Sequence, residues 1–210
     1  MKGLLLKDIG LLKNLKVMIA FYFILGAIFS FTNTQFILGT CYVAVFSGML
    51  GIGTLSYDEY DNGNAYLLTL PITRKEYVLE KYILTFSCLL SGVCCNTLWI
   101  CIVSMIRQYS FENVLTELLV AVMIATLITA ITLPVQLKYG AEKSRLALLI
   151  IAILVGICSA MILKNIDVTT WHLLQYLTPL KMNFIAVIIV GIGVLISFAI
   201  SVKIMEKKEY

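Results

Sequence analysis

Residues 58–81, DEYDNGNAYLLTLPITRKEYVLEK, form a charged island between two long apolar runs. The island holds eight of the chain's 28 charged residues, whereas the flanking runs, 36–57 and 82–106, hold none. A helix of about 20 apolar residues is long enough to cross a bilayer core of about 30 Å. The pattern therefore predicts two membrane spans joined by a polar connector.

The rest of the chain repeats this alternation. Hydrophobic residues make up 60% of the chain, charged residues only 13%, and the mean hydropathy is +0.97, which is typical of membrane proteins with several spans. The runs lack the period-2 alternation of barrel strands. We therefore predict an all-α membrane protein with one transmembrane domain over residues 1–210. Its six predicted transmembrane helices are 17–31, 36–57, 82–106, 117–137, 146–163 and 183–203.

The distribution of Lys and Arg predicts the orientation. Of the sixteen, thirteen lie in four segments that alternate with the spans, and the connections on the other side hold three. Basic residues accumulate on the cytoplasmic side of membrane proteins. Both termini and the 58–81 island are therefore predicted to be cytoplasmic, and the net charge of +4 needs no nucleic-acid partner. The four basic segments are 1–16, 58–81, 138–145 and 203–210.

The first sixteen residues, MKGLLLKDIGLLKNLK, predict an interfacial helix rather than a cleaved signal peptide. Their leucines gather on one broad face, and Lys2, Lys7 and Lys13 lie on the other. The alternative is a charged flank that only stops the first span.

Two proline-containing stretches predict where helices begin. Thr73 and Glu76 have the T-x-x-E spacing of a capping box, so a helix is expected to run from Arg74 into the third span. Pro179 is expected to mark the entry to the last span. Pro134, inside the fourth span, predicts a bend that serves either as a hinge or only as shape.

Small residues spaced by four indicate where helices approach each other closely in lipid. The pattern leaves open whether the contacts lie within one subunit or across a dimer. In the second and fourth spans these residues are Ser47, Gly48, Gly51, Gly53, Ala121, Ala125 and Thr129.

The spans lack the charged and catalytic residues that proton-coupled carriers, ion channels and membrane enzymes use. Apart from Glu117 and Lys203 at the ends of two spans, they contain no Asp, Glu, Lys, Arg or His, which disfavours a proton-coupled carrier or a charged-ring channel. The chain also has no P-loop and no zinc-protease motif. The six cysteines lack metal-ligand spacing, so we predict no bound metal, no bound cofactor and no catalytic site in this chain. The mild polar residues of the spans either line a cargo path or hydrogen-bond between helices: Ser87, Asn96, Thr126 and Thr129.

Three short motifs in the sequence resemble motifs of a known protein family. They are Leu6-Lys7-Asp8 before the first span, Tyr57-Asp58-Glu59 after the second, and the stretch LPITRKE at 70–76 followed by Lys81-Tyr82. Together with the six-span layout, they resemble the ABC-2-type permeases, the small six-helix transmembrane subunits of ABC exporters.

The resemblance implies a fold and partners. Such permeases have an N-terminal interfacial helix, here 1–16, and a cytoplasmic coupling helix between spans two and three, here within 58–81. They pair with a second copy or a sister permease in the bacterial cell membrane and bind separate ATPase subunits, which hold ATP and Mg. The ATPase-docking residues carried over to this chain are Lys7, Asp8, Tyr57, Asp58, Glu59, Leu70, Pro71, Thr73, Arg74 and Glu76.

The leading hypothesis is therefore an exporter permease that moves amphipathic peptides, lipids or drug-like cargo outward. The alternatives are a six-helix substrate-capture component, a membrane enzyme, and a non-transporting interaction or immunity subunit built on the same scaffold. The sequence selects no particular cargo.

Overall fold

The computed structural model of the protein describes residues 2–32, 36–59, 63, 73–107, 111–165 and 179–208, although most side chains between 142 and 183 are not described. The described part is helical and contains no strand, which confirms the all-α class. Its helices are α1 (Lys2–Asn14), α2 (Lys16–Thr32), α3 (Ile37–Glu59), α4 (Arg74–Arg107), α5 (Phe111–Asn165) and α6 (Pro179–Lys207).

The predicted layout of six spans is confirmed only in part. Within the described residues, four helices are long and apolar enough to cross a membrane: Ile37–Glu59, Arg74–Ile106, Val114–Ala141 and Phe184–Lys207. The predicted first span, 17–31, falls in α2, which has only 17 residues and bends by 67° from α1. Counting that bent pair as one span gives five. The predicted fifth span, 146–163, coincides with the second half of α5, and most of its side chains lie outside the described residues.

α3 forms the centre of the bundle. Among the described residues, it packs against α1, α2, α4 and α5, whereas α6 packs mainly on α4 and α5. Half of the apolar window of α3 is buried, compared with 11% for that of α6. Most of the α6 surface therefore faces outward. The largest core cluster joins the ends of α3, α4, α5 and α6 through Ile52, Leu55, Tyr77, Val78, Tyr82, Leu133, Leu137 and Met205.

Small residues of α3 allow its neighbours to approach closely. A Cβ atom on Gly51 would lie 2.6 Å from the Cα atom of Thr85 in α4, and one on Gly48 would lie 2.6 Å from the Thr129 methyl group in α5. At these positions, therefore, the small residues predicted from the sequence mediate contacts within the subunit.

The break in α5 lies at Gly140 rather than at Pro134. Gly140 has φ 81° and ψ 175°, whereas Pro134 remains inside the helix. A positive φ costs glycine little because it has no Cβ atom. The start of α6 at Pro179 agrees with the sequence prediction, since proline is well suited to the first turn of a helix.

Candidate functional site at the charged end

One end of the bundle, termed here the charged end, brings together the termini of several helices. α3 ends there at Glu59 and α4 begins there at Arg74. The break of α5 at Gly140 and the last turn of α6 lie against these two residues. α1 packs across the same end through Asp8. Glu59 and Thr73, the residues on either side of the connector 60–72, therefore lie where five helices meet.

Lys81 is fully buried between α1, α3 and α4. Its ammonium group contacts the carboxylate of Asp8 and lies 2.7 Å from Oδ2 of Asp58. It also donates a hydrogen bond to Oγ1 of Thr54 at 3.1 Å. A buried charge is tolerated only when it is paired and hydrogen-bonded. Lys81 therefore holds three helices together through one cation.

Two further donors surround Asp58. The ammonium of Lys7 contacts Oδ1 of Asp58 and lies 3.2 Å from Oδ1 of Asp8. The hydroxyl of Tyr77 donates to Oδ2 of Asp58 at 3.0 Å. Hydrogen bonds to an ionised carboxylate are stronger than those between neutral groups. Asp58 therefore fixes the last turn of α3 to both α1 and α4.

Glu80 adds a third carboxyl group beside Lys81. It is fully buried, and its Oε2 lies 3.7 Å from Nζ of Lys81. In the described part of the chain, neither of its oxygens accepts a hydrogen bond. The ionic cluster, defined as Lys7, Asp8, Asp58, Glu80 and Lys81, thus contains two cations and three carboxyl groups. Loss of either cation would leave buried carboxylates poorly compensated.

Glu59 caps the second half of α5. Its Oε2 accepts a hydrogen bond from the backbone N–H of Ala141 at 2.9 Å. Carboxylates are favourable at helix N-termini because the first N–H groups have no partner within the helix. A Cβ atom on Gly140 would lie 3.2 Å from the same oxygen, so the glycine also leaves room for the Glu59 carboxylate. This contact links the end of α3 to the break in α5.

Arg74 caps the end of α6. Its guanidinium group donates to the carbonyl oxygens of Met205 at 2.9 Å and Glu206 at 2.6 Å. The last carbonyl groups of a helix have no partner within it, and a cation is favourable at that end. The first residue of α4 is thereby attached to the last turn of the outermost helix.

The N-terminus of α4 has the capping box that the sequence predicts. Oγ1 of Thr73 accepts from the N–H of Glu76 at 3.2 Å, and Oε2 of Glu76 accepts from the N–H of Thr73 at 3.0 Å. Both groups are on the surface. The reciprocal bonds fix where the connector 60–72 ends and the helix begins.

Replacing Thr73 with alanine should fray the first turn of α4. Loss of an N-cap costs about 1 kcal/mol, which corresponds to about fivefold faster hydrogen exchange in that turn. Exchange of the peptide containing Glu76 and Tyr77, followed by mass spectrometry, measures this. Thr73→Ser keeps the acceptor oxygen and is the control. Equal exchange in the two variants would contradict the cap.

Comparison with known proteins identifies the family. The model of the family described as "ABC-2 family transporter protein" matches residues 3–206. The chain belongs to the ABC-2 transporter family. No curated protein and no solved structure matches the sequence. Membership makes the chain a permease subunit of an ABC transporter, which implies association with ABC ATPase partners. The resemblance seen in the sequence is thus confirmed.

The ABC-2 permease distributes its predicted docking residues between two environments. Asp8 and Asp58 are buried in the ionic cluster, so in this arrangement they position α1, α3 and α4. Tyr57 is 53% exposed beside them. Thr73, Arg74 and Glu76 lie at the accessible start of α4. Leu70 and Pro71 lie outside the described residues.

The four predicted cargo-path residues of the permease do not share one surface. Ser87 is exposed on α4, whereas Asn96 is buried and donates to Thr40 of α3 at 3.3 Å. The hydroxyl groups of Thr126 and Thr129 donate to carbonyl groups of their own helix. The hydrogen bond from Asn96 to Thr40 joins two helices. Hydrogen bonding between helices is one of the two roles that the sequence leaves open for these four residues. A cargo path through these residues stays a prediction.

Sequence reasoning missed the central place of Lys81 in the permease. The sequence places the lysine in the charged island and in the Lys81-Tyr82 motif, and neither predicts that it is buried. Tyr77 and Lys81 are four residues apart, and so are Val78 and Tyr82, so these four share one helical face. That stripe is apolar apart from the lysine, and it is buried. A lysine on an otherwise apolar stripe was the signal that could have revealed it.

Proposed function

We propose that this permease serves an ATP-driven exporter and that its ATPase partners dock on the 58–81 region. In this proposal, both termini and the charged end face the cytoplasm. The permease works as a pair, with a second copy or with a sister permease. Its cargo is amphipathic, namely a peptide, a lipid or a drug-like molecule that leaves the cell.

The observation that carries the proposal is the anchoring of both ends of the connector 60–72. On one side, Asp58 and Glu59 link α3 to the ionic cluster and to the break in α5. On the other side, Arg74 links α4 to the last turn of α6. A force applied to the connector would therefore reach four candidate spans through direct contacts.

Such anchoring suits the transmission of mechanical work. Coupling between distant sites needs packed contacts and an element with two arrangements. The packed contacts are the ionic cluster and the Arg74 cap. The element that would move is α5, because the helix is interrupted at Gly140 and its second half is held by Glu59.

The burial of Asp8 and Asp58 refines the docking surface. Buried carboxylates would position the connector, while exposed groups on either side of it would touch the ATPase. Tyr57, which is exposed, and Glu76, which is partly exposed, are such groups. Apart from Glu117 and Lys203 at their ends, the apolar runs of the predicted spans carry no Asp, Glu, Lys, Arg or His, which suits an energy source located outside the membrane.

Replacing Arg74 with alanine should uncouple the permease from its ATPase. The α6 end would lose its cap, and the connector would no longer pull on that helix. Purification in gentle detergent with mass spectrometry identifies the co-purifying P-loop ATPase. Its hydrolysis rate is then measured with and without permease in vesicles. We expect permease-dependent stimulation to fall by about fivefold, at the lower end of usual coupling energies.

The matched control is Lys75→Ala, which removes an exposed cation from the next position of the same helix. We expect it to leave stimulation close to that of the unmodified protein. Circular dichroism should show equal helix content in both variants. Equal stimulation by both variants would contradict the coupling role of Arg74. A permease that purifies without an ATPase would contradict the proposed function itself.

A further inference from the structure

An open groove of about 630 Å³ separates α5 from α6 on the outer surface of the bundle. Its walls are almost entirely apolar. Leu127 and Gly193 line one end, and Lys138, Tyr139 and Ile204 line the other. The second end is the charged end of the bundle, where α6 terminates at Lys207. The groove therefore has one polar end and one apolar end.

The groove is as long as one leaflet of a bilayer is thick. The eleven residue-to-residue steps from Leu127 to Lys138 rise about 16 Å along a helix. Half of the hydrocarbon core of a bilayer is about 15 Å. With Lys138 at the membrane surface, Leu127 and Gly193 would lie near the midplane. The groove is thus about as long as an acyl chain that enters it from the leaflet at the charged end.

Both a second copy of the chain and a lipid could cover an apolar groove, and the exposed cation at its surface end favours the lipid. A flexible hydrocarbon chain can follow its full length.

The polar groups of the groove are concentrated at the surface end. Lys138 is exposed, and its ammonium lies 4.9 Å from the centre of the Tyr139 ring. Among the described residues, no carboxylate lies within ion-pair distance of it. Lys208 donates to the carbonyl group of Leu137 at 3.1 Å, which adds a second cation nearby. In the deeper part, Ser197 already donates to the Ala130 carbonyl.

We propose that this groove binds an anionic phospholipid. One acyl chain lies between α5 and α6, and the phosphate group rests on Lys138 beside the Tyr139 ring. Basic pockets between membrane helices favour anionic head groups through direct charge attraction. The inference needs only that α5 and α6 lie in a bilayer, so it stands independently of the proposed transport activity.

The first experiment changes the charge. The full chain is placed in nanodiscs that contain equal amounts of phosphatidylglycerol and phosphatidylcholine, and native mass spectrometry counts the lipids retained after release into the gas phase. Lys138→Gln should reduce the preference for phosphatidylglycerol by about fivefold. Lys138→Arg should keep it. Lys143→Gln, which removes an exposed cation of the same segment away from the groove, should also keep it.

The second experiment blocks the groove while leaving its charge intact. Gly193→Leu places a side chain between α5 and α6, where a Cβ atom would lie 3.5 Å from Leu127. Retention of phosphatidylglycerol should fall even though Lys138 is present. Gly191→Leu is the matched control because a Cβ atom there meets nothing within 4 Å. It should leave retention unchanged.

Three outcomes would overturn the proposal. The first is equal retention of the two lipids by the unmodified chain, which means that the groove has no head-group preference. The second is equal behaviour of the Lys138→Gln and Lys143→Gln variants. The third is a change of oligomeric mass, with unchanged lipid retention, in Gly193→Leu, which would assign the groove to contact with a second copy.

Discussion

Replacing Lys81 with methionine should destabilise the permease by about 3–5 kcal/mol, because it leaves buried carboxylates without their main cation. The side chains of Lys81 and Asp8 are completely inaccessible to solvent, and Asp58 is nearly so. Methionine has a similar shape but no charge, so packing changes little and the electrostatic loss dominates. Unfolding by denaturant in detergent micelles, followed by circular dichroism, gives the free energy of unfolding.

Two variants test the cause of this loss. Lys203→Met removes an exposed cation from α6 and should leave the free energy of unfolding unchanged within about 0.5 kcal/mol. Adding Asp8→Asn and Asp58→Asn to Lys81→Met should recover much of the stability, since the uncompensated charges disappear. If Lys81→Met unfolds like the unmodified protein, the ionic cluster is not buried as described.

The second large effect is expected for Gly51→Ala. The added Cβ atom would lie 2.6 Å from the backbone Cα atom of Thr85, so α3 and α4 must move apart. Inserting atoms into a packed interface costs about 1–3 kcal/mol, and a backbone obstacle places this variant near about 3 kcal/mol. The same unfolding measurement applies. α3 is the central helix, so the displacement also disturbs its contacts with α5.

Gly53→Ala is the matched control, and we expect it not to lower the free energy of unfolding. It lies two residues away on the same helix, and a Cβ atom there meets nothing within 4 Å. Alanine favours a helix over glycine by about 1 kcal/mol, so Gly53→Ala should be neutral or stabilising. If both alanine variants destabilise equally, the close approach of α3 and α4 is not the cause.

The parts of this fold that follow from local rules could be predicted from the sequence. The capping box at Thr73 and Glu76 needs only residues three apart, and the start of α6 at Pro179 needs only a helix-start rule. The spacing of Ser47 and Gly51 predicted a close helix contact. It could not name Thr85 as the partner, because that choice depends on how α4 is rotated.

The parts that depend on other helices were missed. The sequence predicted a bend at Pro134. The break lies instead at Gly140, where Glu59 from α3 supplies the cap. Asp8 and Asp58 were predicted as docking residues from motif resemblance, and only the fold reveals that both meet Lys81. The predicted first span, 17–31, falls within α2, but hydropathy alone could not predict the 67° bend between α1 and α2.

The ionic cluster also has a consequence for the order in which the chain can assemble during synthesis. Asp8 precedes Lys81 by 73 residues, and Asp58 lies between them. Until α4 leaves the ribosome, the carboxylates of α1 and α3 have only Lys7 as a partner within the cluster. The contact between Lys7 and Asp58 can hold α1 on α3 before then, whereas the contacts of α1 with α4 form only after α4 has been made. The synthesis of Lys81 thus completes the ionic cluster and attaches α1 to α4 as well as to α3.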